Sequence, residues 1–373
     1  MLVMINLTMY YKKSNYLERV KRVQQLLPES DVGTMIIPPG PNFTYLTGMD
    51  TESMERLALL ILTETGVSIL CPELMRQQVL EESWITDIVS WKDDENPYNK
   101  LKKFIPVKNK ISIEGSLPYF HYERIKPFIL VKEHLADSIM TKLRISKDKE
   151  ELDSIRSAID KSEKSLSASL AELKEGISEA EFATILENEM KKQGLDTVAF
   201  SSIVSFGKNA ALPHHSPDST RLKHGDSIVI DFGGRYHYYA SDTTRTFFWK
   251  HADPEMETIY ETVRQANEQA RLKITKETSY AEMDATARSI IEKAGYGKNF
   301  FHRLGHGLGL QVHEEPYLVP SNTQKAITNS VFTIEPGIYI TGKGGVRIED
   351  TNYFDGSKCV SFNSLSREFT VLE

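Results

Sequence analysis

Two apolar runs of the sequence carry acidic residues in positions where a charged group is hard to accommodate. Asp231 follows the run 228–230 and Glu335 follows the run 331–334, so both carboxylates read as buried at the ends of strands. Burial disfavours the ionised form of a carboxyl group unless a positive charge faces it. Each of these two residues is therefore expected to have a cationic partner.

A second carboxylate follows each run at a similar distance. Asp242 lies eleven residues after Asp231 and Glu349 lies fourteen after Glu335, spacings that fit a short turn and a return along an adjacent antiparallel strand. Four converging carboxylates would repel one another strongly, and few basic residues lie near them in the sequence. Two divalent cations would balance the four charges, which predicts a dinuclear metal site.

The ligand chemistry of such a site points to hydrolysis. The imidazole ligand is best sought at His306, because Gly305 and Gly307 on either side allow backbone and metal to approach closely. Oxygen-rich ligation with one imidazole favours manganese, cobalt, iron or a hydrolytic zinc pair over structural zinc. Two metals at roughly 3.5–4 Å from each other can activate a water molecule and polarise a carbonyl group.

At these residues the sequence resembles a known family. The run from His302 to Glu314 is similar, over all thirteen positions, to the signature of aminopeptidase P and the proline dipeptidases. The resemblance covers about residues 145–373 and implies the fold of the pita-bread dinuclear metallopeptidases. The other ligand motifs of that family follow in order at Asp231-Phe232-Gly233-Gly234, Ser241-Asp242-Thr243-Thr244-Arg245-Thr246, Ile334-Glu335-Pro336-Gly337 and Arg347-Ile348-Glu349-Asp350.

The resemblance implies five metal ligands. Asp231 would bind one metal, His306 and Glu335 would bind the other, and Asp242 and Glu349 would bridge both. Glu335 also matches the position of a general base that shuttles protons for the attacking water. Two divalent ions per subunit are expected, Mn2+ or Co2+, with Zn2+ and Fe2+ as alternatives.

The resemblance also implies three residues on the substrate side. His214 matches a histidine that contacts substrate, and His313 matches a second one that stabilises the tetrahedral intermediate. Arg347 would hold a substrate carboxylate with its guanidinium, and a plain salt bridge to Asp350 or Glu349 is the alternative. Weaker candidates, which would only orient a neighbour or pack in a sheet, are His215, His302 and Tyr239.

The elements that must position these residues repeat with a period of about one hundred residues. Each copy opens with a long helix, the first from about Lys147 and the second capped by Asp253, and continues with a second helix behind a capping box. Two such copies predict a pseudo-twofold domain whose junction collects matching residues. The repeated features are the boxes Ser178 with Glu181 and Ser279 with Glu282, the helix stops Gly194 and Gly295, the histidines His214 and His313, and the strands Ser227–Gly233 and Ser330–Gly337.

The first part of the chain predicts a smaller α/β domain, with a helix over 16–27 and strands over 33–37, 57–62 and 67–70. A charged segment, 143–149, leads from it into the first long helix of the repeat. We place the two domains at 1–145 and 146–373. The motif 42–48 resembles the N-terminal creatinase/prolidase-like domain of the proline peptidases, so the fold class is α/β (α+β) throughout.

Composition restricts the classes of partner. A formal net charge of −7 argues against nucleic acid or an anionic membrane. The two cysteines, Cys71 and Cys359, stand far apart and predict neither a disulfide scaffold nor a thiolate metal site. The apolar stretch Met1–Ile5 ends at Asn6, short of the length of a signal sequence. We expect a cytoplasmic protein, and the resemblance implies a homodimer.

The predicted activity is hydrolysis of Xaa-Pro dipeptides by a hydroxide that the two metals activate, with release of the C-terminal proline. Proline nitrogen carries no N–H and its ring fixes the backbone, so the bond before it needs a dedicated enzyme. Xaa-Pro aminopeptidase (aminopeptidase P) activity on longer peptides is the alternative, and methionine aminopeptidase is a more distant one. A non-catalytic interaction protein with the same fold is the remaining alternative, against which the intact ligand set argues.

Overall fold

A computed structural model describes residues 9–29, 31–105, 110–128 and 135–373 of the chain. The predicted apolar stretch Met1–Ile5 lies outside these residues. The chain divides into two compact units, Met1–Arg144 and Ile145–Glu373. Within the four described ranges, no helix has an apolar segment of the length needed to cross a membrane.

The N-terminal unit is built around one mixed five-stranded sheet, and the helix and the three strands predicted for it are all present. Its strands are β1 (Thr34–Ile37), β2 (Leu59–Thr63), β3 (Val67–Pro72), β4 (Ile88–Trp91) and β5 (Ile111–Ile113), and its helices are α1 (Lys13–Glu29), α2 (Pro41–Thr47), α3 (Arg76–Glu82), α4 (Pro97–Leu101), α5 (Tyr119–Ile125) and α6 (Leu135–Ile145).

The sheet of this unit runs in the order β4-β3-β2-β1-β5. Strands β1, β2 and β3 pair antiparallel, whereas β4 and β5 add to the two sides in parallel. The strands are rich in branched apolar residues, and Ile36, Leu59 and Ile61 lie in one buried core cluster. Strands that are buried on both faces appear in the sequence as continuous apolar runs, which is why these strands could be predicted from the sequence.

The C-terminal unit contains two copies of one arrangement of helices and strands. The first copy comprises α7 (Lys149–Ser169), α8 (Glu179–Lys192), β6 (Thr197–Val198), β7 (Ile203–Phe206), β8 (Ser227–Phe232), β9 (Gly234–Tyr236), β10 (Tyr239–Ala240) and β11 (Thr243–Trp249). The second comprises α9 (Pro254–Leu272), α10 (Tyr280–Lys293), β12 (Gly305–Gly307), β13 (Glu314–Leu318), β14 (Ser330–Ile334), β15 (Gly337–Ile340), β16 (Gly344–Arg347), β17 (Asp350–Phe354), β18 (Cys359–Ser361) and β19 (Val371–Leu372).

The two copies pair their strands in the same way. In the first copy β8 lies between β7 and β11, and in the second β14 lies between β12 and β17, with antiparallel pairing throughout. Each copy packs its own pair of helices against its sheet in a separate apolar core. Both predicted capping boxes are formed, at the first turns of α8 and α10. The predicted pseudo-twofold repeat is therefore present.

The predicted strand Ser330–Gly337 was too long. Strand β14 ends at Ile334, because Pro336 has no N–H to donate to a sheet ladder. The chain leaves the sheet at this proline, and β15 then pairs with β16 in a separate two-stranded hairpin. Glu335 consequently lies just beyond the strand end, and its own N–H donates to the carbonyl of Leu304 at 2.8 Å.

Candidate metal centre

All eight site residues predicted from the sequence line one cavity of about 620 Å³ in the C-terminal unit. Its lining includes Asp231, Asp242, His306, Glu335, Glu349, His214, His313 and Arg347. The ligand atoms of six of these residues lie within 4.8 Å of one another in three overlapping sets. These sets are Asp231 with Asp242 and Glu349, His306 with Glu335 and Glu349, and Asp242 with His306 and His313.

The strand pairing explains how distant carboxylates meet. Asp231 lies on β8 directly opposite Thr244 of β11, and Asp242 immediately precedes β11. Glu349, which immediately precedes β17, forms an isolated bridge with Thr244 across the junction of the two copies. The hydroxyl of Thr244 donates to Oε2 of Glu349 at 2.7 Å. Each copy therefore supplies its carboxylates at the edge where the two copies join.

The buried carboxylates of this cluster repel one another and require cations to balance their charges. Burial, together with repulsion from Glu349, Asp231 and Glu335, raises the pKa of Asp242 well above its usual value. Burial and repulsion from Glu335 and Asp231 likewise raise the pKa of Glu349. Buried oxygens Oδ1 of Asp231 and Oδ1 of Asp242 have no hydrogen-bond partner among the described residues. Buried acceptors of this kind are paired or coordinate metals, so the donor set fits divalent cations.

The imidazole of His306 is held with one nitrogen turned into the cluster. Its Nδ1 lies 3.1 Å from the carbonyl oxygen of Gly307, which can only accept, so Nδ1 carries the proton. Its Nε2 lies 3.2 Å from Oε1 of Glu335 and 3.7 Å from Oδ2 of Asp242. When protonated, Nε2 donates to Glu335, and once that proton is lost it offers a lone pair to a cation. This tautomer is the one that a metal-ligating histidine adopts when its other nitrogen bonds to a carbonyl.

The glycines beside His306 are required by close backbone approach, as the sequence predicted. A Cβ atom on Gly305 would lie 2.0 Å from the carbonyl oxygen of Thr333, and one on Gly307 would lie 2.2 Å from that of Glu315. The ring of His306 is thereby brought within reach of carboxylates on other strands.

Glu335 differs electrostatically from the other carboxylates. Burial by itself would raise its pKa, but the hydrogen bond and the charge of a protonated His306, with the charges of His302 and Arg347, lower that pKa to about 2. The hydroxyl of Thr333 contacts Oε1 of Glu335 at 3.3 Å. Glu335 is therefore ionised over the range in which peptidases work, as a proton acceptor must be.

The guanidinium of Arg347 is engaged on three sides. Its Nη2 lies 2.7 Å from Oδ2 of Asp231, its Nε donates to the hydroxyl of Thr244 at 3.0 Å, and its Nη1 donates to the hydroxyl of Tyr339 at 3.1 Å. The side chain is buried, with a relative exposure of 4%. Arg347 thus neutralises part of the charge of the carboxylate cluster.

The salt bridge that the sequence suggested as an alternative for Arg347, to Asp350 or Glu349, is not the one observed. Arg347 pairs with Asp231, whereas Asp350 pairs with Arg245 at 2.7 Å. Proximity in the sequence favours a near neighbour, but the guanidinium on β16 reaches Asp231 on β8 instead.

Both substrate-side histidines are exposed at the cavity. The ring of His313 meets that of His306 edge-on, with centroids 4.2 Å apart. Partial desolvation of its ring inside the cavity, aided by the neighbouring His306 and Arg303, lowers the pKa of His313 to about 4, so this imidazole is neutral near pH 7. His214 lies in the segment between β7 and β8 and lines the same cavity.

Tyr339 is a site residue that sequence reasoning missed. Its buried hydroxyl lies 3.0 Å from Nε2 of His302 and 3.1 Å from Nη1 of Arg347, so it connects one weaker candidate to the guanidinium. The link depends on the hairpin pairing of β15 with β16, which no local feature of the sequence indicates. Tyr239, by contrast, donates to Glu151 at 2.8 Å, so its hydroxyl supports the cap of α7.

These features define a class of protein. It is an α/β chain of two units, and its C-terminal unit contains two copies of one arrangement of helices and strands. Four carboxylates and a histidine lie where the two copies join. Residues 153–354 match the model of Metallopeptidase family M24, and residues 19–145 match the Creatinase/Prolidase N-terminal domain. The chain belongs to metallopeptidase family M24. The expected family and the expected pita-bread fold are both confirmed.

Relatives of known name agree with this assignment. The chain is 36% identical over 365 residues to a putative dipeptidase of Bacillus subtilis, covering 95% of this chain and 100% of that protein. It is 34% identical over 335 residues to an Xaa-Pro dipeptidase of Pyrococcus horikoshii, covering 90% and 93%. A prolidase from Thermococcus sibiricus has a similar structure, with a TM-score of 0.90 at 35% identity, covering 96% of this chain and 99% of that one.

Proposed function

We propose that this chain is a metal-dependent Xaa-Pro dipeptidase. The observation that carries the proposal is the cluster of five potential ligands, Asp231, Asp242, His306, Glu335 and Glu349, in one cavity of a family M24 chain. The similarity to an Xaa-Pro dipeptidase and to a prolidase over nine tenths of the chain or more supports the substrate class.

We assign the five residues to two divalent cations, Mn2+ or Co2+ in the first instance, with Zn2+ and Fe2+ as alternatives. Asp231 would hold one ion, His306 and Glu335 the other, and Asp242 and Glu349 would lie between them. The orphaned Oδ1 atoms of the two aspartates, and the orientation of the histidine's Nε2 toward Glu335 and Asp242, support this assignment. When bound, such a pair of cations supplies an activated water and polarises the substrate carbonyl.

The protein's own groups then handle protons and charge. Glu335, ionised because of its contact with His306, would accept the proton of the attacking water and deliver it to the imino nitrogen of proline. His214 and His313 would donate hydrogen bonds to the oxygen that becomes negative in the tetrahedral intermediate. A neutral imidazole such as that of His313 still has one N–H for this purpose.

Arg347 is the group that we propose for the carboxylate of the substrate's proline. Its pairing with Asp231 leaves the Nη1 contact to the carbonyl oxygen of Pro213 as its longest, at 3.4 Å. A substrate carboxylate would replace that weak contact with a charge-assisted one. We propose the creatinase/prolidase-like domain at 1–145 and the catalytic domain at 146–373 as the parts of a cytoplasmic homodimer, with neither nucleic acid nor membrane as partner.

Product analysis tests the proposed function. Purified protein loaded with Mn2+ or Co2+ is given an Xaa-Pro dipeptide and, separately, an Xaa-Pro-Yaa tripeptide, and free amino acids are separated by chromatography. We expect proline from the dipeptide and little cleavage of the tripeptide. Preferential cleavage of the tripeptide would instead establish an Xaa-Pro aminopeptidase. No cleavage of either by protein that binds metal would refute the enzyme and favour an interaction protein.

A further inference from the structure

One segment of the chain, 206–218, is tied to a single buried carboxylate outside the metal centre. Glu179, at the first position of α8, has a relative exposure of 0%. Four donors from the segment reach its two oxygens. They are the N–H of Phe206 at 2.7 Å and Nδ2 of Asn209 at 3.0 Å, both to Oε1, and Nε2 of His215 at 2.7 Å and the N–H of Asp218 at 3.2 Å, both to Oε2.

This segment carries His214. The N–H of His215 donates to the carbonyl oxygen of Leu212 at 3.1 Å, which closes a turn with Pro213 and His214 at its centre. Proline suits the second position of such a turn because its φ is already set. The residue that ends the turn is therefore the one bonded to Glu179. Fixing His215 fixes the backbone on which His214 reaches the cavity.

The second copy of the repeat shows what the fold itself requires at this position. Tyr280 stands at the first position of α10, where α8 has Glu179. The backbone contacts match, since Glu179 N–H donates to Thr220 O at 3.1 Å and Tyr280 N–H donates to Gln324 O at 3.1 Å. The tyrosine hydroxyl accepts from Ile327 N–H at 3.2 Å. The fold is thus satisfied by a neutral side chain, and the carboxylate occurs in the copy that bears His214.

A cation does not explain the carboxylate. Glu179, His215 and Asp218 have ligand atoms within 4.8 Å of one another. The two oxygens of Glu179 already accept from the four N–H groups, and Nε2 of His215 must carry its proton to donate to a carboxylate. The lone pairs that a metal would need are therefore in use.

Building on the proposed function, we propose that Glu179, acting through His215, is the positioning residue for His214. The carboxylate holds the start, middle and end of segment 206–218, so that the imidazole of His214 is presented to the substrate in one orientation. The buried charge is satisfied by hydrogen bonds from four N–H groups. Each of these donors would be left without a partner if the carboxylate were absent. Glu179 touches neither substrate nor metal in this scheme.

A double-mutant cycle tests the positioning role. Glu179→Gln is expected to lower kcat/KM for an Xaa-Pro dipeptide by about 10–100-fold, as is typical for partners that orient a functional group. In a His214→Ala background the same substitution should change kcat/KM by less than about twofold, since it acts only through that histidine. An undiminished loss in that background would overturn the inference. If His214→Ala leaves no measurable turnover, His214→Gln serves as the background.

His215 provides a second route that does not depend on the folding of the Glu179 variant. His215→Gln, whose amide N–H2 can still reach the carboxylate, should retain more activity than His215→Leu. Equal losses in the two variants would contradict a role for this hydrogen bond. Bound metal, measured by mass spectrometry, should be unchanged in all of these proteins, and its loss would mean that the metal centre had been disturbed instead.

Glu163 supplies a matched control. It is also a buried carboxylate, with 4% exposure, and it accepts from the backbone N–H groups of Ser364 and Leu365 and from Nδ2 of Asn363. Any effect of Glu163→Gln on kcat/KM should be the same with and without His214. If the Glu163 and Glu179 variants behaved alike in the cycle, general loosening of the fold would replace positioning as the explanation.

Amide hydrogen exchange separates this inference from the proposed function. Glu179→Gln should raise exchange in 206–218 and leave the rest of the C-terminal unit unchanged, whatever the substrate is. If exchange in Glu179→Gln is faster but the wild-type protein cleaves neither peptide, the proposed function is refuted. The role of Glu179 in holding segment 206–218 would still be supported. Unchanged exchange would refute that role even if the enzyme were active.

Discussion

At the scale of single residues, burial decides which carboxylates need a partner, and the fold decides which partner they find. Asp231 and Asp242 each keep one buried oxygen without a hydrogen bond among the described residues. For Asp231 the sequence predicted that need from its apolar flank, because the cost of burying a charge depends on the immediate surroundings, and Asp242 was located by its spacing from Asp231. It did not predict that Arg347 would pair with Asp231, since the two residues are far apart in the chain.

Glu114, in the N-terminal unit, offers a test of burial that is independent of the metal centre. Burial is the main cause that raises its pKa from 4.5 to about 7, and the nearby charge of Asp137 adds to it. Its Oε2 has no hydrogen-bond partner among the described residues. Because the folded-state pKa exceeds the unfolded value, its contribution to stability is fully present below pH 4.5 and is lost as the pH rises through 7.

We expect the free energy of unfolding of Glu114→Gln to increase, relative to that of the wild type, as the pH rises from 4.5 to 7, and the difference to stay constant above pH 7. Across this pH range the free energy of unfolding of the variant, relative to the wild type, should rise by about 3 kcal/mol. Thermal unfolding followed by tryptophan fluorescence measures it, since Trp84 and Trp91, two of the three tryptophans, lie in this unit. A difference between the proteins that stays constant from pH 4.5 to 8 would contradict the raised pKa.

At the scale of elements, local signals were predictable and pairing between strands was not. Both capping boxes were correct because a box joins residues only three apart. The matching of Asp231 with Glu335 across the repeat was only approximate. Phe232 pairs with Thr243 and Ile334 pairs with Asp350, which makes Glu335 the counterpart of Gly233.

That offset of two residues keeps both carboxylates on the same face of their strands, since side chains alternate with a period of two. The cluster therefore tolerates an imperfect repeat, and the arrangement of the four acids in two pairs was still predictable from the sequence. The hairpin of β15 and β16 was missed because the predicted strand was continued through Gly337, whereas the missing N–H of Pro336 breaks the ladder.

Gly305 tests the close packing of β12 on β14. In Gly305→Ala the new Cβ would lie 2.0 Å from the carbonyl oxygen of Thr333, so the backbone of one strand must move. We expect a loss of about 1–3 kcal/mol in unfolding free energy and at least tenfold weaker binding of Mn2+, because the displaced strand carries His306. Thermal unfolding and titration calorimetry measure the two effects.

Gly295→Ala is the matched control for this substitution. Gly295 has a φ of +91° and open space around its Cβ position, so alanine there costs backbone strain of about 1–2 kcal/mol without displacing a strand. Its metal affinity should equal that of wild type. Unaltered Mn2+ binding by Gly305→Ala would show that the glycine serves stability alone.

At the scale of the whole molecule, the two units should respond differently to the loss of metal. The four carboxylates lie on or beside β8, β11, β14 and β17, and the bridge between Thr244 and Glu349 joins the two copies there. No described strand of the N-terminal unit carries one of them. Cations that bind only the folded state stabilise it, by about 2.7 kcal/mol when their concentration is one hundred times the dissociation constant. Removing them leaves the repulsion among Asp242, Glu349 and their neighbours uncompensated.

We therefore expect a chelator to accelerate amide hydrogen exchange in β8, β11, β14 and β17 while β1–β5 are unaffected. Asp242→Asn removes one of the mutually repelling charges and one bridging ligand at once. The stability of this variant should depend less on the chelator than that of the wild type. Its metal-free form should be at least as stable as the metal-free wild type. Its peptidase activity should fall by at least a thousandfold. Exchange that changes equally in both units, or a variant as sensitive to the chelator as wild type, would place the cations elsewhere than at the junction of the two copies.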